Sequence, residues 1–292
     1  MTALRVATRG STLARWQAAR VAEMLGGEVE LVIVQTTGDR KADEPLHRIG
    51  GTGVFVKEVQ EAVLDGRADV AVHSAKDLPA ETPAELVLAA VPERADARDA
   101  LVGSTLAALP TGAVVATGSV RRRAQLASLR PDVGFAELRG NIQTRLDKAT
   151  SFDAIVVAAA ALDRLELGDR IAERLAFSDM LPPVGQGALA VECRKGDNGV
   201  LEQLAAIDDL DVHAAVSAER AFLAALGGGC TMPVGAHARV VDGRHGRAIE
   251  IEGLIATEDG RRVGRTRDVD SDPERAGRTV AETLRAGFEE LA

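Results

Sequence analysis

The sequence predicts an α/β protein of two lobes followed by a small α+β domain, and three observations carry that prediction. Short apolar runs alternate with amphipathic stretches from the start of the chain. That alternation halts and then restarts before the middle of the sequence. The last part differs in kind, with polar and apolar residues alternating one by one, as they do in antiparallel strands exposed on one face.

In the first lobe, the segments 4–8, 29–35, 68–73 and 86–90 read as strands rich in Val, Leu and Ala. The segments 11–25 and 54–65 read as helices, the first closed by Gly26-Gly27. In the second lobe, strands are predicted at 113–116, 133–138 and 154–158. Helices are predicted at 119–130, stopped by Pro131, and at 141–149. The run Pro182-Pro183-Val184-Gly185-Gln186-Gly187 cannot be regular helix and reads as a crossover, followed by a strand at 188–192. A helix over 211–226 ends in Gly227-Gly228-Gly229. Strands at 248–256 and 262–269 follow, and Asp272-Pro273-Glu274 starts a final helix. The expected division is residues 1–95 with 188–208, residues 96–187, and residues 209–292. These would form a mostly parallel sheet in each lobe, with helices on both faces, and an α+β third domain.

Composition narrows the function. A chain of 292 residues accommodates two or three domains. Hydrophobic residues at 46% and charged residues at 27% belong to a globular protein. Aromatics make up only 2% and Tyr is absent, so the core must be built from Ala, Val, Leu and Ile. A net charge of -9 argues against nucleic-acid binding, so any anion site must be a local basic cluster. The opening residues pass straight into a strand with no apolar signal region, and no segment approaches membrane-spanning length, so a cytoplasmic protein without membrane partners is expected. Cys193 and Cys230 cannot make a disulfide framework. No His, Cys and carboxylate cluster has metal-ligand spacing, and neither a phosphate-binding Walker loop nor a dinucleotide fingerprint is present.

The chemistry concentrates at a repeated junction of strand end, arginine and helix start. It occurs at Arg9-Gly10-Ser11, at Thr117-Gly118-Ser119-Val120-Arg121-Arg122-Arg123 and at Arg139-Gly140-Asn141. Ligands of open α/β sheets bind beyond the carboxyl ends of strands, where helix N-termini present free N–H groups. Ser11, Ser119 and Asn141 are good N-caps. Arg9 or Arg139 alone reads equally well as a solvated side chain on a capped helix. Arg121–Arg123 do not, because three cations in the first turn oppose the helix dipole at about 0.3–1 kcal/mol each. A bound anion would reverse that sign, and Arg145 falls near the face of Asn141. The reading is a polyanion site shared between the lobes. His73-Ser74-Ala75-Lys76-Asp77-Leu78-Pro79 lies just past a predicted strand. Its Lys-Asp pair is either a solvated turn or a carboxylate placed in a cationic cleft, able to stabilise developing positive charge or to pass a proton. Cys193 reads as a buried small hydrophobe, whereas the glycines before Cys230 favour an accessible sulfur.

Taken in order, ATRGS (7–11), HSAKDLP (73–79), TGSVRRRAQL (117–126), LRGNIQTRL (138–146), PPVGQGALAVECR (182–194) and GGGCTMPVG (227–235) resemble the porphobilinogen deaminase family. The resemblance implies two lobes built like periplasmic binding proteins around a cleft, a third domain, and a monomer. It implies a dipyrromethane cofactor tethered by a thioether to Cys230. Four porphobilinogen molecules would be added in turn, each losing ammonia, before hydroxymethylbilane is hydrolysed from the cofactor for haem biosynthesis. Carried over residue by residue, Asp77 is the catalytic carboxylate, stabilising a cationic azafulvene and touching the cofactor. Arg9, Ser11, Arg139, Arg145 and Arg164 face the substrate. Lys76, Ser119, Arg121 and Arg122 hold the cofactor's acetate and propionate groups. Gln186 falls in the interdomain turn. This chain departs from the family at Thr52, where many members have Lys; Arg48 and Lys57 offer charge nearby. Arg123 is an additional arginine, expected to face solvent. A non-catalytic two-lobed binder of a carboxylated molecule would share the lobes and the arginines, but it leaves Asp77 and the Cys230 loop without a purpose. An inactive relative would have lost one of these residues.

Overall fold

The computed structural model describes residues 3–40, 53–227, 233–243 and 246–289. The first lobe begins β1 (Leu4–Arg9), α1 (Thr12–Leu25), β2 (Val29–Val34), a single turn α2 (Thr37–Arg40), α3 (Lys57–Leu64), β3 (Val70–Ser74) and β4 (Leu86–Ala90). Helix α1 starts where Ser11 accepts a hydrogen bond from the Ala14 amide and stops at Gly26 in the left-handed conformation. The predicted helix over 54–65 is shorter than the pattern suggested, because residues 54–56 form turn and Asp65 caps the end.

The second lobe contains β5 (Asp99–Val102), β6 (Val114–Ala116), α4 (Val120–Leu129), β7 (Gly134–Ala136), α5 (Ile142–Asp147), β8 (Ala154–Ala158), α6 (Ala159–Asp163) and β9 (Glu173–Arg174). The chain then returns to the first lobe as β10 (Leu189–Arg194) and α7 (Asn198–Ala205). The third domain is α8 (Leu210–Ala225), β11 (Val234–Gly243), β12 (Gly246–Ala256), β13 (Val263–Asp270) and α9 (Pro273–Glu289).

The lobes repeat one plan. The first sheet runs β2-β1-β3-β10-β4 and the second β7-β6-β8-β5-β9. In each, parallel strands are joined by one strand that crosses from the other lobe and is antiparallel to its neighbours. The expected mostly parallel sheets therefore each hold one reversed strand, and the reason is geometric. Leu189 at the start of β10 sits opposite Ser74 at the end of β3, and Asp99 at the start of β5 opposite Ala158 at the end of β8. Both crossing strands enter from the carboxyl-end side, so they can only run away from it.

Alternation along the strands sends Val6, Val70 and Val72 to α1 and α7, and Ala7 and Ala71 to α3. In the second lobe α4 covers one face, and α5 and α6 the other. In the third domain, α8 and α9 pack on the antiparallel sheet around Phe222, Ile251 and Val280. The core is almost wholly Ala, Val, Leu and Ile, as the composition required.

The two crossovers pair with each other: Arg94 bridges Ala188, and the Ala95 amide donates to the Gly187 carbonyl at 2.9 Å. Gly187 has φ +85, and a Cβ there would lie 2.4 Å from the Ala95 carbonyl oxygen, so only glycine fits. Glu219 of α8, fully buried, ties this junction to the third domain. It accepts from Arg94 at 2.6 Å, from the Gly185 amide at 2.7 Å and from the Ala238 amide at 2.7 Å.

Candidate active site

A cavity of about 960 Å³ opens between the carboxyl ends of the two sheets, at the upper end of the usual range for ligand pockets. Each wall is a strand end followed by a capped helix. From β1 the first lobe presents Arg9 and Ser11. From the 3-10 turn Ala75–Asp77 that ends β3 it presents Lys76 and Asp77. The second lobe adds Arg122 from α4, with Arg139, Gly140, Asn141 and Arg145 around the start of α5. The caps form as the residue types demand: Ser119 accepts from the Arg122 amide and Asn141 from the Thr144 amide.

The charges are not equally answered. Arg9 meets Asp39 at 2.5 Å and lies over the Phe55 ring at 4.3 Å. Burial works against the Asp39 carboxylate, yet Arg9 and Thr36 hold it below its usual range. Arg145 donates to the neutral Gly140 carbonyl at 2.8 Å. Burial, reinforced by Arg122 and Arg139, pushes its guanidinium down to about 10. Burial and then Arg122 push the Lys76 ammonium down to about 8, although Asp77 and Asp99 favour its charge. Lys76 reaches Gln186 at 3.2 Å. No hydrogen bond to the Asp77 carboxylate is made by a described residue; its influence on Lys76 and Arg145 is through its charge.

The arginines of α4 meet a charge of the protein's own. Sequence reasoning assigned their charge to a bound anion; the fold also sets one carboxylate between two of them. Fully buried Asp99 lies 2.7 Å from Arg121 and 2.7 Å from Arg122, and accepts a further hydrogen bond from Gln186 at 2.9 Å. Burial opposes the Asp99 charge, but the two guanidiniums hold its carboxyl far below the ordinary range. Arg121 also donates to the Leu181 carbonyl at 2.7 Å. Of the pair, only Arg122 lines the cavity, and Ser119 does not line it. Arg123 pairs with Glu137 at 2.7 Å and is partly exposed. Arg164 stands apart, at the lobe junction, donating to the Gly187 carbonyl at 2.7 Å with its guanidinium 5.5 Å from the Trp16 ring.

Cys193 is buried and its thiol is pushed up to about 11 by burial, as suits an inert core residue. Lys57 is exposed beside Glu61. Cys230, Arg48 and Thr52 lie outside the described residues. From Pro233 on, the chain is anchored by the crossover, where the Ala236 amide donates to the Pro182 carbonyl at 2.9 Å. Among the described residues no cluster could hold a metal ion, and no helix is long and apolar enough to cross a membrane. Sequence reasoning missed Asp99, Asp39 and Phe55. Asp99 lies on a strand of four residues too short to show a period, and Asp39 is one acid among 44 Asp and Glu residues.

Comparison with known proteins follows the same lines. Residues 4–202 match the family model for the porphobilinogen deaminase dipyrromethane cofactor binding domain, and residues 213–286 that for the porphobilinogen deaminase C-terminal domain. Relatives named porphobilinogen deaminase include one from Syntrophotalea carbinolica, 49% identical over 88% of this chain and 84% of the relative. Another, from Acidothermus cellulolyticus, is 49% identical over 100% of this chain and 91% of its own. Among solved structures, an ancestral cationic amino acid solute binding protein is 16% identical over 69% of this chain and 86% of that one, with a TM-score of 0.43.

Proposed function

Because this chain belongs to the porphobilinogen deaminase family, we propose that its cavity is where porphobilinogen units are joined, with Asp77 as the catalytic carboxylate. As a member of that family it is a hydroxymethylbilane synthase of tetrapyrrole biosynthesis, joining four porphobilinogen molecules head to tail with loss of ammonia. Residues 4–202 form its dipyrromethane cofactor-binding region.

One observation carries the reading of the cavity. It is lined by basic side chains from both lobes around a carboxylate, Asp77, to which no described residue hydrogen-bonds. Each pyrrole brings acetate and propionate groups. Arg9, Ser11, Arg139 and Arg145 receive those of the substrate, and Lys76 and Arg122 those of the cofactor. Lys76 on the cofactor side and Arg145 on the substrate side both have charged forms disfavoured by burial and by neighbouring cations, which supports anionic groups binding beside each. When bound, the cofactor supplies the pyrrole from which the chain is extended. Asp77 stabilises the positive charge that develops on the incoming pyrrole as ammonia leaves. Arg121 acts through Asp99, fixing the position of Arg122, and Ser119 orders the start of the same helix. Arg164, held at the junction, meets the growing chain.

Cys230 carries the cofactor through a thioether, and the enzyme works as a cytoplasmic monomer. The intact mass of freshly purified protein, measured beside Cys230→Ser, tests the attachment. The wild type should carry an excess matching one dipyrromethane and the variant none. No excess in either, even after incubation with porphobilinogen, would overturn it.

A further inference from the structure

His73 opens the HSAKDLP segment, and neither the anion-holding residues nor Asp77 gives it a task. It is the last residue but one of β3, it is buried, and it lines the cavity. On the adjacent strand, Glu192 of β10 shares its face of the sheet, because Ala190 pairs with His73 and Glu192 with Ala71. His73 Nε2 lies 3.3 Å from Glu192 Oε2 without an aligned hydrogen bond between them. Glu192 is fully enclosed, accepts from Gln60 Nε2 of α3 at 2.8 Å, and leaves Oε1 without a partner among the described residues. Arg220 of α8 exerts its field on Glu192, and the cavity that His73 lines also carries Arg9, Asp39, Lys76, Asp77, Arg122, Arg139 and Arg145.

A fully enclosed carboxylate is costly unless something offsets its charge. Here it stands 3.3 Å behind an imidazole at the edge of a reaction cavity, a carboxylate beside a side chain able to take up and release a proton. We propose that His73, backed by Glu192, is a second proton-transfer group of the active site and takes the proton that each condensation releases. The proposal rests on the cavity being the place of condensation.

The balance is complete. Ammonia leaves the substrate's aminomethyl carbon with the C–N bonding pair. The electron pair of the acceptor pyrrole's free α-carbon forms the new C–C bond. That carbon's proton passes to neutral His73, and its C–H pair restores the aromatic ring. The imidazolium, stabilised by Glu192, then gives the proton to the departing ammonia or to water. Asp77 stabilises charge in the first half of this sequence and His73 accepts the proton in the second, so one group need not do both.

The test combines pH–rate profiles with imidazole NMR titration of His73. His73→Gln should stay folded, lose about 100-fold in kcat near neutral pH, and lose the acidic limb of the profile. Glu192→Gln removes the charge that favours imidazolium. The limb and the NMR midpoint of His73 should therefore move together to lower pH. In the wild-type protein the two should coincide whatever the fate of the variants. An acidic limb that persists in His73→Gln, or a His73 midpoint indifferent to Glu192→Gln or apart from the kinetic limb, would overturn the proposal. Full turnover by Asp77→Ala would instead remove the reading of the cavity itself.

Discussion

Two regions of this molecule hold carboxylates among arginines, and they behave in opposite ways. Behind α4, Asp99 is sealed between Arg121 and Arg122 with Gln186 as a further donor, and its charge is used up inside the fold. In the cavity, Asp77 faces Lys76 and Arg145 without a hydrogen bond from a described residue, and those two cations are held below their usual affinity for protons. The first arrangement is closed around Asp99, whose carboxylate has fixed partners, so removing it breaks the structure; only Arg122 of the pair also reaches the cavity. The second is open, an excess of cations kept together by the lobes and suited to a ligand that supplies the missing negative charge. Similar sequence signals, a strand end with a capped helix and arginines, serve stability in one place and binding in the other.

Breaking the closed region should give the largest effect. Asp99→Ala leaves two buried guanidiniums without their anion and should lower unfolding stability by about 3–5 kcal/mol, read by urea denaturation. A loss below about 1 kcal/mol would mean that water or another group already shares that charge.

Breaking the open region should give an equally clear result of the other kind. Asp77→Ala should lower kcat by about 10²–10³-fold while leaving the thermal midpoint close to wild type, since no described residue hydrogen-bonds to that carboxylate. Near-normal turnover would end its catalytic assignment.

A sharper contrast comes from Arg145→Leu. Losing one charged contact to a ligand carboxylate should weaken substrate use by roughly ten- to a hundred-fold in kcat/KM. Stability should hold or rise slightly, because the guanidinium sits among the like charges of Arg122 and Arg139. Unfolding at room temperature would place Arg145 with the structural arginines instead.

The smallest effect is a pH dependence. The Lys76 ammonium, pushed down to about 8, gains charge stabilisation when an anion binds beside it, so binding takes up protons between that value and the ordinary lysine range. Affinity for an anionic ligand should therefore fall as pH rises above about 8, by at most about tenfold per pH unit. Calorimetry in buffers of different ionisation enthalpy measures the uptake directly. Lys76→Gln should abolish it.

Much of this was legible in the residues. Ser11, Ser119 and Asn141 cap their helices because a short side-chain oxygen beside a strand end can reach the free amides of the first turn. Pro273 opens α9 because its missing N–H has no partner to lose there. The strands β5, β9 and β11 and the helices α2, α6 and α7 went unread. Strands β5 and β9 and helices α2 and α6 are short and α7 has only eight residues, too few to set a period, and β11 comes soon after the glycine run 227–229 in the sequence.

By itself, then, the sequence determined the α/β class, the restart of the pattern that makes two lobes, the capped starts of helices such as α1, α4 and α5, and the residue types gathered at the strand ends. These follow from local forces: periodic burial, capping and the limits on Pro and Gly. Only the tertiary structure decided which charges cancel. Arg121 and Asp99 lie 22 residues apart in sequence, and nothing local marks them as partners. Their pairing depends on β5 entering from the carboxyl-end side of the second sheet and running against its neighbours. His73 and Glu192 likewise come from strands far apart in the chain, made adjacent by the crossover that brings β10 back into the first sheet. Electrostatic partnership is set by distance in space and by burial, and neither exists until the lobes have folded.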